Sequence, residues 1–528
     1  MNIKLKHPVA IMLIALFSLA SCATSTTDLY PSPQAVPTKY RTYYQLLVYS
    51  FADSNDDGIG DFKGIADKLE YLSDLGINGL WLSPINTSTS YHSYDVTDYY
   101  GIKSIYEVDG YTFEDLIDDA ATYDIDIIMD LVINHSGRDH NWFISGLGAF
   151  KNNTGSKYKN WYNFSATRDT KHSSGNTGGY YEAIFWDGMP DFNFDNPEVR
   201  EEMINIGKYW LAKGVAGFRL DAAMHIFTDY AIADKWNGDI YDKNIEWWQE
   251  FQDALASEYP DVYLIGEMWT NLEKIKRYHA SNLDSAFNFE TRRNIINAVA
   301  KVDGYASFLD DYQLGIREYQ SDAIEAYFVS NHDDGRLASY LNNINNLKMA
   351  ASLQLLAPGN AFIYYGDEIG LKGSGGTGDG LYRTPMRWGD SYVTDPSRYG
   401  IGGSYSSSTV GFNDVNTQLL DEDSLLRHYT RVLEIKNTYR ELYAGTLTKV
   451  NTGKATIQAY VVSLGNTSTL VIHNTDALAT VVSLSNVASL LASVSVSGTA
   501  IAYDQGQLTL PPQSSALLRL NARNTTVS

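Results

Sequence analysis

Short apolar runs, often β-branched, recur through most of the chain, and each gives way to a polar cluster. They are Tyr43–Ser50, Gly79–Leu82, Ile125–Met129, Val215–Phe218, Val262–Ile265, Ala326–Val329 and Phe362–Tyr365. Most are apolar at consecutive positions, which fits strands buried on both faces, as in a parallel sheet. Helical patterning lies between them, as in Lys63–Leu75, and Ser424–Asn437 reads as a closing helix. Strand ends fall near positions 50, 84, 135, 221, 267, 289, 331 and 367. Polar residues gathered where buried strands end are the mark of a (β/α)8 barrel rim. The predicted class is therefore α/β, a TIM barrel built from residues 38–135 and 194–440.

Two departures from that pattern set further domains. The stretch from His135 to Asp221 is far longer than the roughly 30 residues of a plain βα unit. Its polar, loop-like part, residues 136–193, reads as a small domain inserted after the third strand. From about Gly445 the pattern turns to short strands separated by turn signals, as in Ile457–Val462, Thr469–Ile472, Ala479–Val482 and Ser515–Leu520. That predicts an all-β sandwich over residues 441–528.

The chain's start does not belong to this pattern. Lys4, Lys6 and His7 precede an apolar run, Val9–Leu19, of the length of a signal-peptide core and too short to span a membrane. The run ends in L-A-S-C, where Cys22 is the chain's only cysteine. This resembles a bacterial lipobox, which implies cleavage before Cys22, lipidation of that residue, and attachment to the bacterial envelope at the outer membrane or cell surface. The Ser-, Thr- and Pro-rich residues 23–37 then read as a flexible tether. The net charge of −23 is dispersed, which suits a soluble, acidic surface and argues against nucleic acid, and a monomer is expected.

Candidate chemistry sits at the strand ends. After the first strand, Asp53, Asn55, Asp57 and Asp61 alternate through D-S-N-D-D-G-I-G-D. Oxygen donors at that spacing, with the Ile59 carbonyl completing the set and glycines allowing a tight wrap, suit a structural Ca2+. Gly64 stands where an EF-hand would carry glutamate, so the loop is not one. An Asx-rich turn without metal is the alternative. Three other segments supply one carboxylate each: G-F-R-L-D-A-A-M-H (Gly217–His225), G-E-M-W (Gly266–Trp269) and F-V-S-N-H-D (Phe328–Asp333). Arg219 lies two residues before Asp221, so on a strand both side chains point the same way.

Together with D-L-V-I-N-H (Asp130–His135), these segments resemble the four ordered signature regions of the α-amylase family of glycoside hydrolases, family 13. The inserted segment then resembles the family's domain B, ending in M-P-D-F-N (Met189–Asn193), and the sandwich its domain C. The resemblance implies a retaining hydrolase of α-1,4 bonds in starch or maltodextrins, with Asp221 as nucleophile, Glu267 as acid and base, and Asp333 as the third carboxylate. It implies that Tyr94 stacks under the reacting sugar, with His92, Asp95, His135 and His332 around it, Arg219 at the nucleophile, and Asp379 and Arg383 holding the same sugar and its neighbour. Asn134 implies a possible second Ca2+ between barrel and domain B. Met224 departs from the family's usual lysine, and Ala222 resembles α-1,4-acting members. An α-glucosidase, a neopullulanase-like enzyme or a trehalose-forming transglycosylase is the alternative within the family, and a non-catalytic glucan binder the remote one.

Overall fold

The computed structural model describes residues 39–373, 379–399 and 411–528. Residues 1–38, which include Cys22 and the expected leader and tether, and most of the stretch Gly373–Gly380 lie outside the described residues.

Eight parallel strands close into a barrel: β1 (Thr42–Leu46), β2 (Gly79–Leu82), β3 (Asp126–Leu131), β4 (Gly217–Leu220), β5 (Tyr263–Gly266), β6 (Ser285–Asn288), β7 (Ala326–Phe328) and β8 (Asn360–Tyr364). They pair in chain order, and β8 returns to β1. The strands are buried along nearly their whole length because each has two apolar sides. Tyr44, Leu46, Leu80, Leu82, Ile127, Met129, Phe218 and Leu220 belong to the large core shared with the surrounding helices. The alternate positions Tyr43, Trp81, Ile128, Tyr263, Ile265, Phe287, Phe328 and Phe362 form a separate cluster. Its rings stack, Tyr43 on Phe362 at 4.9 Å and Trp81 on Phe287 at 5.2 Å. This cluster fills the barrel, which is a packed core and not a pore.

Side chains alternate along a strand, so two residues beyond each ring the same side continues toward the strand's C-terminal end. From Tyr43 that residue is Gln45, from Ile128 it is Asp130, and from Ile265 it is Glu267. On β4 the sequence of that side is Gly217, Arg219 and then Asp221. Aromatic floor and charged rim thus follow from one period.

Two expected elements are shorter than the sequence implies. β1 stops at Leu46 because its partners run out: β2 pairs to Leu82, and β8 reaches only Gln45. Val48–Phe51 forms one helical turn instead. The helix expected over Lys63–Leu75 is two, Phe62–Ala66 and Leu69–Leu75, broken at Asp67 and Lys68.

After β2 a hairpin, Asn86–Ser88 with Val96–Ile102, holds the stretch from Tyr91 to Asp95 at the rim. After β3 the chain forms the helix Asn141–Asn152 and a small antiparallel sheet of Phe164–Ser165, Ser174–Asn176 and Gly179–Tyr181. Its own core is aromatic, with Phe143 edge-on to Tyr162 and Tyr181. A bridge between His135 and Asp191 fastens it to the rim. Five strands between Thr446 and Leu520 form one C-terminal sheet, and Thr480–Ser483, Gln507–Leu510 and Ala502–Asp504 form a second. Ile457, Ala459, Leu470, Ile472, Leu508 and Leu518 pack in the core between them. The strand Val487–Ser495 was not legible in the pattern.

Candidate active site

At the C-terminal ends of the strands lies a cleft of about 390 Å³, lined by His92, Tyr94, His135, Asp221, Glu267, Asp333, Asp379 and Arg383 among others. Arg219 is fully buried beneath it and binds three carboxylates at 2.6 Å each: Asp130 and Asp221 through Nη1, and Glu267 through Nη2. Its guanidinium lies over the ring of Trp81, so the floor of the barrel backs the charge. Glu267 turns its other oxygen to the amide of Ala222, which donates at 3.0 Å. Ala222 adopts a left-handed conformation (φ 49°), the sharp turn that aims this amide across at the next strand.

Asp333 is held from the opposite side. Arg383 donates to it through Nη2 at 3.0 Å, and His332 Nε2 is 2.7 Å from its other oxygen. Gln45 donates to His332 Nδ1 at 2.7 Å, which leaves the ring proton on Nε2, facing Asp333. The ring of Tyr94 stacks on His332 at 5.6 Å, and its hydroxyl donates to Asp130 at 2.9 Å. Arg383 also binds Asp379 at 2.7 Å, and Tyr91 joins that pair by donating to Asp379 and accepting from Arg383.

Burial and charge sort these groups. Burial raises Glu267 above the ordinary carboxylate range; Asp221 and Asp333 add to the rise, and Arg219 opposes it. Burial also raises Asp221, with Arg219 pulling it back. Asp130 goes to about 8 by burial, again with Arg219 opposing. Asp333 is the exception: burial would raise it, but His332 and Arg383 hold it well below the usual range. Burial keeps His92 and His135 neutral, each at about 4. Asp130, Asp221, Glu267 and Asp333 together carry more negative charge than Arg219 and Arg383 can balance. A proton is therefore retained among them.

Most of the residues that the sequence singles out are brought together here. Asp95 is not: it is buried below the rim, where the hydroxyls of Ser88, Thr89 and Ser90 donate to it and fix the loop. Asp130, Tyr91 and Phe185 belong to the site as well, beyond the residues that the sequence singles out for it. In the loop after β1, Asp53 accepts from the amides of Asn55, Asp56 and Gly58, Asn55 from Asp57, and Asp57 from Ile59. Asp61 caps the helix Phe62–Ala66 and accepts from Ser54. Among the described residues, no group of three or more His, Cys, Asp or Glu is arranged to hold a metal ion.

The model of the α-amylase catalytic domain matches residues 45–445, nearly the whole barrel with its insertion. The chain belongs to the α-amylase family. It is 40% identical over 442 residues to Alpha-amylase 3 of Dictyoglomus thermophilum, covering 83% of this chain and 85% of that protein. It is 31% identical to a 4-alpha-glucanotransferase of Thermotoga neapolitana, over 73% and 84% of the two chains. The solved structure of Eubacterium rectale Amy13B superposes with a TM-score of 0.84 at 30% identity, covering 93% of this chain and 97% of the other. The protein is a glycoside hydrolase of that family.

Proposed function

We propose that the protein hydrolyses α-1,4-glucosidic bonds in starch, maltodextrins or related α-glucans with retention, using Asp221 as nucleophile, Glu267 as acid and base, and Asp333 as the third carboxylate. The observation that carries the reading is the fork of Arg219 between Asp221 and Glu267. One cation keeps the nucleophile ionised and fixes both carboxylates on one side of the cleft, while His332 and Arg383 keep Asp333 charged from the other. In the first step Asp221 bonds to C1 as the glycosidic bond breaks, and the proton of Glu267 goes to the leaving oxygen. In the second, Glu267 takes a proton from water, whose oxygen replaces Asp221 at C1. Asp333, held ionised, binds hydroxyls of the distorted sugar and opposes its developing positive charge. NMR during the first minutes on soluble starch should show the α-anomer before mutarotation. An initial β-anomer would require inversion and would rule out Asp221 as nucleophile. A spread of oligosaccharides in the same time course supports an α-amylase, and glucose alone an α-glucosidase.

Calcium in the loop after β1 belongs to the same proposal. The donors are all oxygens, and successive Asx turns at Asp53, Asn55 and Asp57 wrap the chain through alternate side chains. Asp53, Asn55, Asp57, Asp61 and the Ile59 carbonyl would hold the ion, which would brace the loop and take no part in the chemistry. Chelation should lower the melting temperature, and Asp57→Ala should reproduce much of that loss. An unchanged melting curve with no metal on elemental analysis would make the loop a metal-free turn. A second Ca2+ near Asn134 belongs to the same proposal: Asn134 donates to Asp191, and burial beside Glu182 holds Asp191 well above the usual carboxylate range although Lys171 lies 3.3 Å from Glu182.

Lipid attachment at Cys22 rests on L-A-S-C and the apolar run before it. Among the described residues no helix is long and apolar enough to cross a membrane. Cys22→Ser should release active enzyme into the soluble fraction of an expressing bacterium. Retention of that variant on membranes would place the anchor elsewhere.

A further inference from the structure

Arg383 stands on a stretch that has no regular structure. Residues 382–388 form neither helix nor strand, yet Arg383, Thr384, Met386 and Trp388 are buried. Buried backbone without a ladder must find its hydrogen bonds elsewhere. Here three successive carbonyls are held by three buried hydroxyls. Tyr364 donates to the carbonyl of Tyr382 at 3.0 Å, Ser50 to that of Arg383 at 3.0 Å, and Tyr365 to that of Thr384 at 2.6 Å. The carbonyl of Ser50 in turn accepts from the amide of Met386 at 2.9 Å. Pro385 has no amide hydrogen to add. The donors are themselves fixed. Ser50 lies on the helical turn Val48–Phe51, and Tyr364 ends β8. The guanidinium of Arg336 lies over the rings of Tyr364 and Tyr365 at 4.2 and 4.6 Å, and it donates to the Tyr365 carbonyl.

We infer that Ser50 and Tyr365 are positioning residues of the hydrolysis, acting through Arg383 to hold Asp333 where it meets the sugar. The inference rests on the hydrolase reading above and deepens it. The Arg383 guanidinium engages all three of its nitrogens: Nη2 with Asp333 at 3.0 Å, Nη1 with Asp379 at 2.7 Å, and Nε with the carbonyl of His332 at 3.0 Å. A planar fork with three targets tolerates little displacement of its own backbone. Ser50 grips that backbone at the arginine's carbonyl, and Tyr365 grips it at the next one. Without them, a shift of about 1 Å would carry Nη2 beyond hydrogen-bonding distance of Asp333. Both side chains are fully buried behind the cleft lining, so any effect they have on the sugar must pass through the arginine.

The test is a double-mutant cycle on kcat/KM with 4-nitrophenyl maltoside, whose released nitrophenolate makes slow rates readable. Ser50→Ala and Tyr365→Phe each delete one hydroxyl, and the second keeps the ring that packs on Arg336. Each should lower kcat/KM by roughly tenfold, a part of what a full ångström of misplacement can cost. The loss should fall on kcat more than on KM, because Asp333 holds the sugar most tightly in its distorted form. In an Arg383→Ala background the same substitutions should cost less than about twofold, since the group they position is gone. Melting curves keep folding apart from function, and Tyr365→Phe carries the test alone if Ser50→Ala does not fold. Losses of the same factor with and without Arg383 would overturn the inference, as would an unchanged kcat/KM in both hydroxyl variants. An unaltered enzyme that cleaves no α-glucan would remove the hydrolase reading and this inference with it.

Discussion

Asp221→Asn should leave the protein folded and able to bind maltooligosaccharides while lowering turnover on starch by roughly four to six orders of magnitude, the range for losing an enzymic nucleophile. An amide cannot form the glycosyl ester, and nothing else lies in register on β4 to replace it. The fold should survive because Arg219 keeps Asp130 and Glu267 as partners, each at 2.6 Å. The substitution removes one negative charge from a set that already holds more than its cations balance. Calorimetric binding and a melting curve beside the kinetics separate the outcomes. Turnover within tenfold of the unaltered enzyme would end the assignment.

Glu267→Gln should behave differently, because acid assistance depends on the leaving group. On starch the loss should be roughly two to four orders of magnitude, as for deletion of a general acid. On 4-nitrophenyl maltosides, whose leaving group needs no proton, bond breaking should be far less affected and the glycosyl–Asp221 ester should accumulate for want of a base. Azide, which needs no deprotonation, should then restore turnover. The pH profile carries the sign. Burial raises Glu267, so its acid form, and activity with it, is lost as pH rises through that raised value. Asp221 must be ionised and so sets the acidic limb. Asp333, held well below the usual range, stays charged throughout. The alkaline limb should therefore vanish in the Gln variant on the activated substrate. Equal losses on starch and on the nitrophenyl maltoside would show that Glu267 is not the acid.

The barrel was legible because its strands carry two apolar sides and end in polar clusters, and the predicted Gly79–Leu82 coincides with β2. The charged rim was legible for the same reason, since Arg219 and Asp221 share a side of β4. What the sequence hid has physical causes. Asp95 has the residue type of a sugar ligand, but three neighbouring hydroxyls close in on it, and hydroxyl-rich loops give no sign of which way they fold. Asp130 sits inside an otherwise apolar strand, where only the tertiary fold brings Arg219 against it. Phe185 and Trp186 interrupt a polar stretch, and that interruption was the available signal. Val487–Ser495 is rich in Ala and Ser and lacks the alternation that marked its neighbours, so its pairing with Ser514–Leu520 had no local cue.

Two aromatic rings that line the cleft, Trp269 and Phe185, belong to different parts of the chain. Trp269 follows directly from β5, whereas Phe185 hangs from the insertion, which the barrel holds at its rim through the bridge of His135 and Asp191. Arg219 and its carboxylates draw nothing from that insertion. Exchange or drift within residues 136–193 can therefore reshape which glucans are preferred and how long the products become, leaving the bond-breaking apparatus intact. Selection has a dial for product profile that is wired separately from the engine, and a library confined to that segment is where altered product patterns should be sought.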